Sequence, residues 1–556
     1  MLDQDTSYRF KELRLLAGLL VLVGMVSTVS AHVGSSGDTQ PPAYQEPPDT
    51  VPVNYTQTEE MCPVEKPGWR EAQQRYGVTV QESRQCSPDN PEVVAAVTKG
   101  TNNVPMEALM ATGLHEDAVR KGKDMDGDGD PDVINITLEV AEINGKKPVA
   151  GELALEQAIA PGVKPGFWVF APKTRGMASE GSAASNLIRA PSPAIRVEEG
   201  DRVNVELENT HYMPHTIHFH GVDHPYSEGG EGQDGVPQTS GEPVMPGESR
   251  TYSFEPGSPG TMFYHCHVQP NTHVLMGLQG MFIIEEQRPE NRVQTFNIGN
   301  GKVRHQSEAS EEEYDREYDL LYQDVDKELH SIINVSNDPR VISKMMNRRY
   351  DVTEREPDYF LLNGKSFPYT VRESQIIVAP DENVKLRILN GGSESVSLHI
   401  HGHKPTITHY DGVEASEAQR IQRDVFDISA AQRIDLLLNT SIDGLNSYDQ
   451  GVWFMHNHKE EAVTTDGVAP GGDVTVLTYE KYLKQNGMPE TQGVSWKPYF
   501  SKEYYDREVP VWNSYDRSGL FGEFRTLRVQ KSRVAMMGII GLLLGGLVGL
   551  GVADRW

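Results

Sequence analysis

Two stretches of the chain carry the same arrangement of histidines, and this internal repeat constrains the fold more than any other feature. The paired histidines are His218-Phe-His220-Gly, His265-Cys-His267, His399-Ile-His401-Gly and His456-Asn-His458. In each stretch the pairs follow runs of β-forming residues, such as the apolar and aromatic residues before His265 and His456. A pattern that recurs in this way indicates two related domains within one chain.

The residues around the repeat read as strands. Residues 133–140 and 194–207 alternate between apolar and polar side chains, which is typical of strands with one buried face. The chain also has 51 glycines and 35 prolines, which suit frequent turns. We therefore predict an all-β protein with β-sandwich domains at residues 135–288 and 316–482, joined by an acidic linker at residues 289–315.

Alternation along a strand predicts how the first two pairs are used. Side chains of successive strand residues point to opposite faces. His265 and His267 therefore share one face, and Cys266 points to the other. His218 and His220 likewise share a face. One strand can thus serve two metal sites that are joined by the backbone of a single residue.

A second set of ligands gathers around the cysteine. His215 lies an odd number of residues before His218 and so faces the side of Cys266, and His273 follows Cys266 after a short loop. One thiolate with two imidazoles is the ligand set of a blue copper site. Zinc is the alternative, but structural zinc prefers one closed tetrahedral set, whereas four histidine pairs could hold several copper ions.

These residues resemble a two-domain multicopper oxidase of the cupredoxin superfamily, which has relatives among the copper nitrite reductases. The resemblance covers residues 135–482, and its motifs are His-x-x-His-x-His-Gly at 215–221, Asp234-Gly-Val-Pro, Pro246-Gly, and Gly-Thr-Met-Phe-Tyr-His-Cys-His-Val at 260–268. It implies two Greek-key β-sandwiches of the cupredoxin type.

The resemblance also implies roles for the ligands. His215, Cys266 and His273 would hold a type 1 copper, with Cys266 passing electrons onward. A trinuclear copper centre would use His218, His220, His265, His267, His399, His401, His456 and His458. In this scheme His218 and His399 hold the type 2 ion, the other six hold the type 3 pair, and each chain binds four copper ions.

The chain departs from the family pattern in two places. Asn457 stands where a type 1 cysteine would be, so we expect blue copper in the first domain alone. The axial position near the type 1 copper aligns best with Leu278, although Met276 and Met281 are close in sequence. A leucine cannot donate to copper.

The resemblance favours reduction of dioxygen to water. Nitrite reductases have an aspartate at the position of His218 and lack the histidine at His267, and both histidines are needed for a type 3 pair. The alternatives are a copper nitrite reductase and a non-enzymatic copper or electron-transfer subunit of a membrane complex.

The source of protons and the reductant are less well defined by the sequence. The nearest candidates for proton delivery are Asp223, Asp234 and Glu460. The reductant is not identified by the sequence; it could be a small molecule, a metal ion or a redox protein.

Both ends of the chain suggest a membrane. Residues 1–31 have the basic, apolar and small-residue order of a signal peptide, or would form an anchor if uncleaved. Residues 483–533 are aromatic and charged, and residues 534–553 are 20 residues without a charge, enough for a transmembrane helix. We therefore expect an exported, membrane-anchored protein in the periplasm or at the cell surface. Its net charge of −29 argues against nucleic-acid binding.

The remaining segment, residues 32–134, is an N-terminal extension outside the resemblance. Cys62 and Cys86 could form a disulfide there, which export would permit. Asp124, Asp126 and Asp128 alternate as in a calcium loop, but Asn135 stands where an EF-hand has its closing acid. Calcium is therefore a possible second metal, and an acidic surface turn is the alternative.

The ligand count predicts an oligomer. Each domain supplies four of the eight cluster histidines, so a cluster forms only where a first domain meets a second. Two-domain relatives form a ring of three chains, in which each first domain meets its neighbour's second. We expect such a homotrimer, because a head-to-tail contact that closes makes a ring.

Overall fold

The computed structural model describes residues 70–84, 90–147, 155–176, 182–307, 313–484, 486–492 and 496–507. All of them belong to one compact unit, residues 53–509. The predicted signal segment, most of the juxtamembrane segment, the 534–553 helix, Cys62 and Cys86 lie outside the described residues. Within the described part of the chain, no helix combines the length and the apolar character needed to cross a membrane.

The first half of the described chain is a sandwich of two five-stranded sheets. Its elements are β1 (Gln73–Arg75), β2 (Val78–Val80), α1 (Pro91–Lys99), α2 (Met106–Thr112), β3 (Val119–Gly122), β4 (Val133–Ile143), β5 (Phe167–Pro172), β6 (Ala194–Glu198), β7 (Arg202–Glu208), β8 (His218–His220), β9 (Ser227–Glu228), β10 (Glu231–Gly232), β11 (Ser249–Phe254), β12 (Gly260–His265), α3 (Pro270–His273), β13 (Gln279–Glu285) and β14 (Phe296–Asn297). Sheet A has the order β11-β7-β4-β3 with β5 also paired to β4, and sheet B has the order β14-β6-β13-β12-β8.

The second half repeats the sandwich with a seven-stranded and a five-stranded sheet. Its elements are β15 (Gly301–Lys302), β16 (Arg316–Val325), α4 (Lys327–Val335), α5 (Pro339–Arg348), β17 (Tyr359–Leu362), α6 (Tyr369–Glu373), β18 (Ile376–Val378), β19 (Asn383–Asn390), β20 (Val396–Ile400), β21 (Thr406–Tyr410), β22 (Val413–Glu414), β23 (Val425–Ile428), β24 (Arg433–Asn439), β25 (Val452–Asn457), β26 (Thr475–Tyr479) and α7 (Lys502–Tyr505). Sheet C has the order β15-β16-β19-β24-β21-β22 with β17 beside β16, and sheet D has the order β18-β26-β25-β20-β23. The chain is therefore mostly β-sheet and cupredoxin-like, with short helices at its connections.

The described part of the N-terminal extension belongs to the first sandwich. β3 pairs with β4 as an edge strand of sheet A. Val93, Val97 and Leu109 of α1 and α2 are buried in the same apolar cluster as the strands of sheets A and B. The predicted boundary at residue 135 therefore falls inside a sheet, because alternation was visible in β4 but not in the four-residue β3.

The predicted linker also contributes to the fold. β14 pairs with β6 at the edge of sheet B, and β15 pairs with β16 at the edge of sheet C. Residues 289–315 thus run from one sandwich to the other through short paired segments, at least as far as they are described.

Sheets B and C pack against each other, so the two sandwiches share a buried face. Phe263, Met281 and Ile283 of sheet B meet Leu321 and Leu389 of sheet C in one apolar cluster. A strand such as β13 is consequently buried on both faces, which explains why four consecutive residues at its centre, Met281 to Ile284, are apolar.

Buried charges lie beside this apolar cluster. Arg196 of β6 contacts Glu285 of its own sheet and Asp319 of β16. Arg387 of β19 contacts Glu285 across the same junction, with 2.8 Å between Nη2 and Oε2. Both arginine side chains are almost fully buried. Because charged groups in such a position need fixed partners, these contacts fix how the two sandwiches meet.

Candidate metal centres

The structure brings together His215, Cys266 and His273, the three residues predicted for a type 1 site. The Sγ atom of Cys266 lies 3.6 Å from Nδ1 of His215 and 3.5 Å from Nδ1 of His273. Cys266 directly follows β12, His215 precedes β8, and His273 ends the short helix α3. All three side chains are buried. The donor atoms converge, as the alternation argument predicted for His215 and Cys266.

The electrostatics of this triad suit a thiophilic metal. Burial raises the pKa of the Cys266 thiol to about 12 and lowers the pKa of His273 to about 3. Burial also lowers the pKa of His215 well below its usual range, and the neighbouring His211 and His273 add to the effect. Two neutral imidazoles and a thiol in a dry pocket fit copper, since a bound metal would replace the thiol proton.

Leu278 is tied to the triad through its backbone. Its carbonyl accepts a hydrogen bond from the N–H of Cys266 at 3.0 Å, and its N–H donates to the carbonyl of His273 at 3.2 Å. The leucine side chain is fully buried. These contacts hold the backbone of residue 278 beside two of the three donor residues, and its role as the axial residue stays a prediction.

The first histidine quartet lies on the other face of the same strand. In the register of β8 and β12, His218 pairs with His265. The ring centroids of His218 are 5.8 Å from His220, 5.2 Å from His265 and 5.6 Å from His267. Nδ1 of His267 is buried without a hydrogen-bond partner among the described residues. An orphaned ring nitrogen in such a cluster fits a role as a metal donor.

The second quartet repeats this geometry on sheet D. β20 and β25 pair His399 with His456, whose ring centroids are 5.6 Å apart. Nε2 of His401 lies 3.1 Å from Nε2 of His456, and the ring centroid of His458 is 5.4 Å from that of His456. The side chain of His458 is 56% exposed, so this quartet sits at the surface of the described chain.

Hydrogen bonds fix which ring nitrogen each quartet offers. Nδ1 of His218 lies 2.8 Å from the carbonyl of Asp234, and Nδ1 of His399 lies 2.9 Å from the carbonyl of Asp424. Nδ1 of His265 and of His456 lies 3.1 Å and 3.0 Å from the carbonyl of the following residue. Since a carbonyl only accepts, each of these Nδ1 atoms carries the proton and each Nε2 keeps the lone pair that a metal could bind.

The two quartets do not meet within the chain. No ring contact between described residues joins a histidine of the first quartet to one of the second, whereas each quartet is linked internally. Each quartet thus holds four of the eight histidines that were predicted for one centre, and the joining of the two quartets stays a prediction.

The predicted proton donors have unequal surroundings. Oδ1 of Asp234 lies 3.2 Å from Nδ1 of His218 and 3.5 Å from Nε2 of His224. Asp223 lines a cavity of about 650 Å³ together with His224. Glu460 is 3.9 Å from His458, and its side chain is 85% exposed. Asp234 has the closest contact with a predicted ligand.

The acidic loop gathers its carboxylates in a different combination from the predicted one. Asp124 and Asp126 converge with Asp132, while Asp128 converges with Asp130 and Asp132. Several of these carboxylates accept hydrogen bonds from the N–H groups of the loop itself, such as Gly127 N–H to Asp124. The loop is thus stabilised by its own backbone, and Asp132 belongs to both groups of carboxylates.

Two residues beside the type 1 triad were not predicted from the sequence. His211 contacts the back of His215, with 2.9 Å between its Nδ1 and Nε2 of His215. Trp168 packs edge-on against both His215 and His273, with ring centroids 6.2 Å and 5.3 Å away. The closeness of His211 to the first motif was the one available signal; nothing in the sequence pointed to Trp168.

The second half of the chain also contacts the loop that carries His273. Nε2 of His330, on α4, lies 3.0 Å from the carbonyl of Leu275, and Nε2 of Gln323 lies 3.2 Å from the same oxygen. Nδ1 of His330 lies 2.6 Å from the carbonyl of Gly166. These contacts from across the junction restrain the segment between Cys266 and Leu278, which carries His273.

The fold and the two kinds of donor set define a copper protein of the cupredoxin class. The multicopper oxidase family matches residues 185–289 and residues 335–480, the segments that hold the two halves of the centre. The chain belongs to the multicopper oxidase family.

Curated relatives agree with this assignment. The chain is 28% identical over 330 residues to the iron transport multicopper oxidase FET3 of Gibberella zeae, covering 55% of this chain and 46% of that protein. It is 24% identical over 339 residues to FET3 of Saccharomyces cerevisiae, covering 60% and 44%. It is 26% identical over 267 residues to Laccase-3 of Thanatephorus cucumeris, covering 45% and 40%. The chain spans less than half the length of these relatives.

Among solved structures, similarity extends to two other oxidases. The multicopper oxidase mgLAC has a TM-score of 0.47 and 24% identity, covering 67% of this chain and 94% of that one. The blue copper oxidase from Nitrosomonas europaea has a TM-score of 0.47 and 25% identity, covering 69% and 93%.

Proposed function

We propose that this chain is an oxidase that couples four one-electron oxidations of a reductant to the reduction of dioxygen. Four electrons and four protons convert one dioxygen molecule to two molecules of water. The observation that carries the proposal is the strand end at 265–267, where Cys266 belongs to the buried triad and its two neighbours belong to the first quartet. Copper bound at the triad and the quartets would supply the one-electron redox chemistry.

The backbone and hydrogen bonds of the chain itself organise this arrangement. Cys266 and the two histidines beside it connect the triad to the quartet through one residue's backbone. The carbonyl contacts at Nδ1 of His218 and His399 fix the proton on Nδ1 and leave the lone pair on Nε2. A hydrogen bond to the ring nitrogen that does not bind the metal fixes both the ring orientation and the basicity of a histidine ligand.

Proton delivery through Asp234 is part of the proposal. Its carboxylate touches His218 on one side and His224 on the other, and His224 lines the open cavity with Asp223. A proton taken up in the cavity has a short path to the first quartet along these groups. Glu460 would be the corresponding acid beside the second quartet.

Copper content and colour test the oxidase proposal. We expect four copper ions per chain and an intense blue band from the Cys266 thiolate. Cys266→Ser should abolish the blue band and the oxygen uptake while leaving the quartet copper in place. A fully loaded protein with one copper per chain would refute the cluster, and nitrite turnover without oxygen uptake would favour the nitrite reductase alternative.

The proposal includes a ring of three chains. The quartets lie apart, His458 is largely exposed, and the buried arginines fix the junction of the two sandwiches. A neighbouring chain that brings its second quartet to the first quartet of this chain would complete the eight ligands. Closure of that head-to-tail contact by three copies gives three centres per ring.

Mixing two inactive variants tests this assembly. One variant lacks His218 and His220, and the other lacks His399 and His401. Unfolded and refolded together, they should regain part of the oxygen uptake, because some interfaces would pair two intact quartets. Each variant refolded alone is the control. No recovery, together with an active monomer by light scattering in detergent, would refute the shared centre.

The remaining parts of the proposal concern location and ligands. The protein would be exported and held to a membrane by residues 534–553, which lie outside the described residues. Because two relatives are named iron transport oxidases and another a laccase, ferrous ion and phenols head the panel of reductants for oxygen-uptake assays. Calcium at the 124–132 loop would show as a calcium-dependent rise in melting temperature that is lost in Asp132→Asn.

A further inference from the structure

His211 is a buried histidine that lies outside the predicted ligands but touches one of them. Its Nδ1 is 2.9 Å from Nε2 of His215, within hydrogen-bond distance. Only 6% of His211 is exposed. The contact is on the side of the His215 ring that points away from Cys266, whose Sγ faces Nδ1 of the same ring.

The roles of the two rings follow from this geometry. If Nδ1 of His215 is to give its lone pair to a metal beside Cys266, the proton of that ring must sit on Nε2. Nε2 then donates to Nδ1 of His211, which must be the unprotonated nitrogen of its own ring. The usual partner for a ligand's second nitrogen is a carboxylate, a carbonyl or water, so an imidazole acceptor is distinctive.

His211 is itself held firmly. Its backbone N–H donates to Oδ1 of Asn209 at 3.0 Å. Its ring packs on Tyr212, with centroids 3.9 Å apart, and against the edge of Trp168 at 4.8 Å. A ring fixed on this many sides can act as a rigid acceptor.

A carboxylate stands behind this cluster. Oε2 of Glu142 accepts hydrogen bonds from Tyr212 Oη at 2.5 Å and from Trp168 Nε1 at 3.0 Å. The same oxygen is 3.9 Å from Nε2 of His211, beyond hydrogen-bond distance. Its negative charge nevertheless favours the His211 form with hydrogen on Nε2, which is the form that leaves Nδ1 free to accept from His215.

We propose that His211 is a positioning residue for the type 1 copper: its Nδ1 accepts a hydrogen bond from Nε2–H of His215 and thereby holds Nδ1 of His215 toward Cys266. This inference rests on the proposed type 1 site but not on the reaction that the site serves. Removing the acceptor should lower copper affinity at the triad by about 10- to 100-fold. It should also raise the reduction potential, since a less basic imidazole stabilises the oxidised ion less.

Three variants separate positioning from packing. His211→Leu removes the acceptor and keeps an apolar side chain in the pocket. His211→Asn places an amide oxygen near the former Nδ1 and should restore the hydrogen bond. Tyr212→Phe removes the hydrogen bond to Glu142 while keeping the stacked ring, and is the matched control.

The first measurement needs no metal. In the full-length, copper-free protein in detergent, with ¹⁵N-labelled histidine, the His215 ring should carry hydrogen on Nε2 in the unmodified chain. The same form should persist in His211→Asn and Tyr212→Phe and be lost in His211→Leu. Hydrogen on Nδ1 of His215 in the unmodified chain would overturn the proposal, even if His211→Leu does not fold.

The second measurement uses copper. Competition for Cu(I), the energy of the blue band and a redox titration should shift in His211→Leu and return toward the original values in His211→Asn. Unchanged affinity and potential in a folded His211→Leu protein with a normal blue band would refute the positioning role. An unmodified chain that binds copper without a blue band would instead refute the type 1 assignment.

Discussion

Arg387 offers the sharpest test of how the two sandwiches are held together. Its guanidinium contacts Glu285 at 2.8 Å, Asp435 at 3.0 Å and also Glu317, and all of these side chains are at most 4% exposed. Arg387→Leu would leave the carboxylates buried with fewer partners; Asp435 would retain a hydrogen bond from Thr261. Removing one partner from such a buried group destabilises a protein by about 3–5 kcal/mol.

The pH dependence of this loss follows from Glu317. Burial alone would raise the pKa of Glu317, but Arg196 and Arg387 lower it to about 2. A carboxyl group whose pKa is lowered by folding stabilises the fold at pH values above its ordinary pKa. That stabilisation is lost as the pH falls toward the pKa of the folded state. Without Arg387 the carboxyl pKa rises, so protonation relieves part of the damage. The difference between the two proteins should therefore be smaller near pH 4 than at about pH 7.5.

Urea unfolding followed by tryptophan fluorescence and circular dichroism measures the effect at both pH values. Arg202→Leu is the matched control, because Arg202 and its partner Glu255 are 58% and 61% exposed and such pairs contribute little. A loss below about 1 kcal/mol in Arg387→Leu, or an equal loss at both pH values, would refute the claim that this network fixes the junction.

Three further changes test other parts of the structure. Leu278→Met should lower the type 1 potential in a redox titration, and no shift or a rise would mean that residue 278 is not axial. Burial raises the pKa of Asp473 to about 7, so its contribution to stability is lost as pH rises from about 4 to about 7. Asp473→Asn should make the urea midpoint of unfolding less dependent on pH over that range. A pH dependence equal to that of the unmodified chain would contradict this. Gly364→Ala should lower the melting temperature, because its backbone has a φ of +70° and a Cβ would lie 2.0 Å from the carbonyl of Ala190; an unchanged melting temperature would contradict this close approach.

The sequence was most informative where chemistry and strand period coincide. Alternation alone placed His265 and His267 on one face and Cys266 on the other, and the structure has them so. The two-sandwich architecture could also be predicted, because glycine and proline separate clear strand patterns and the histidine motif occurs twice.

Contacts that depend on irregular loops, or that join elements far apart in sequence, could not be predicted. The contact between His215 and His211 depends on a loop fixed by Asn209, and an irregular loop has no periodic pattern from which side-chain directions could be predicted. The contact between His330 and the carbonyl of Leu275, beside His273, joins residues 55 positions apart. The edge strand β3 was too short to be visible, so the first sandwich was predicted to begin too late.

The position of helices α4 and α5 in the fold has a consequence for biosynthesis. Leu329, Ile332 and Ile333 of α4 and Ile342 and Met346 of α5 are buried in the core cluster of the first sandwich, although they follow the first strand of the second. A chain that leaves the ribosome from its N-terminus cannot complete its first core until about residue 350 has emerged. Until then the nascent protein exposes an apolar surface that chaperones can recognise. The C-terminal half of the polypeptide thus completes the hydrophobic core of the N-terminal half.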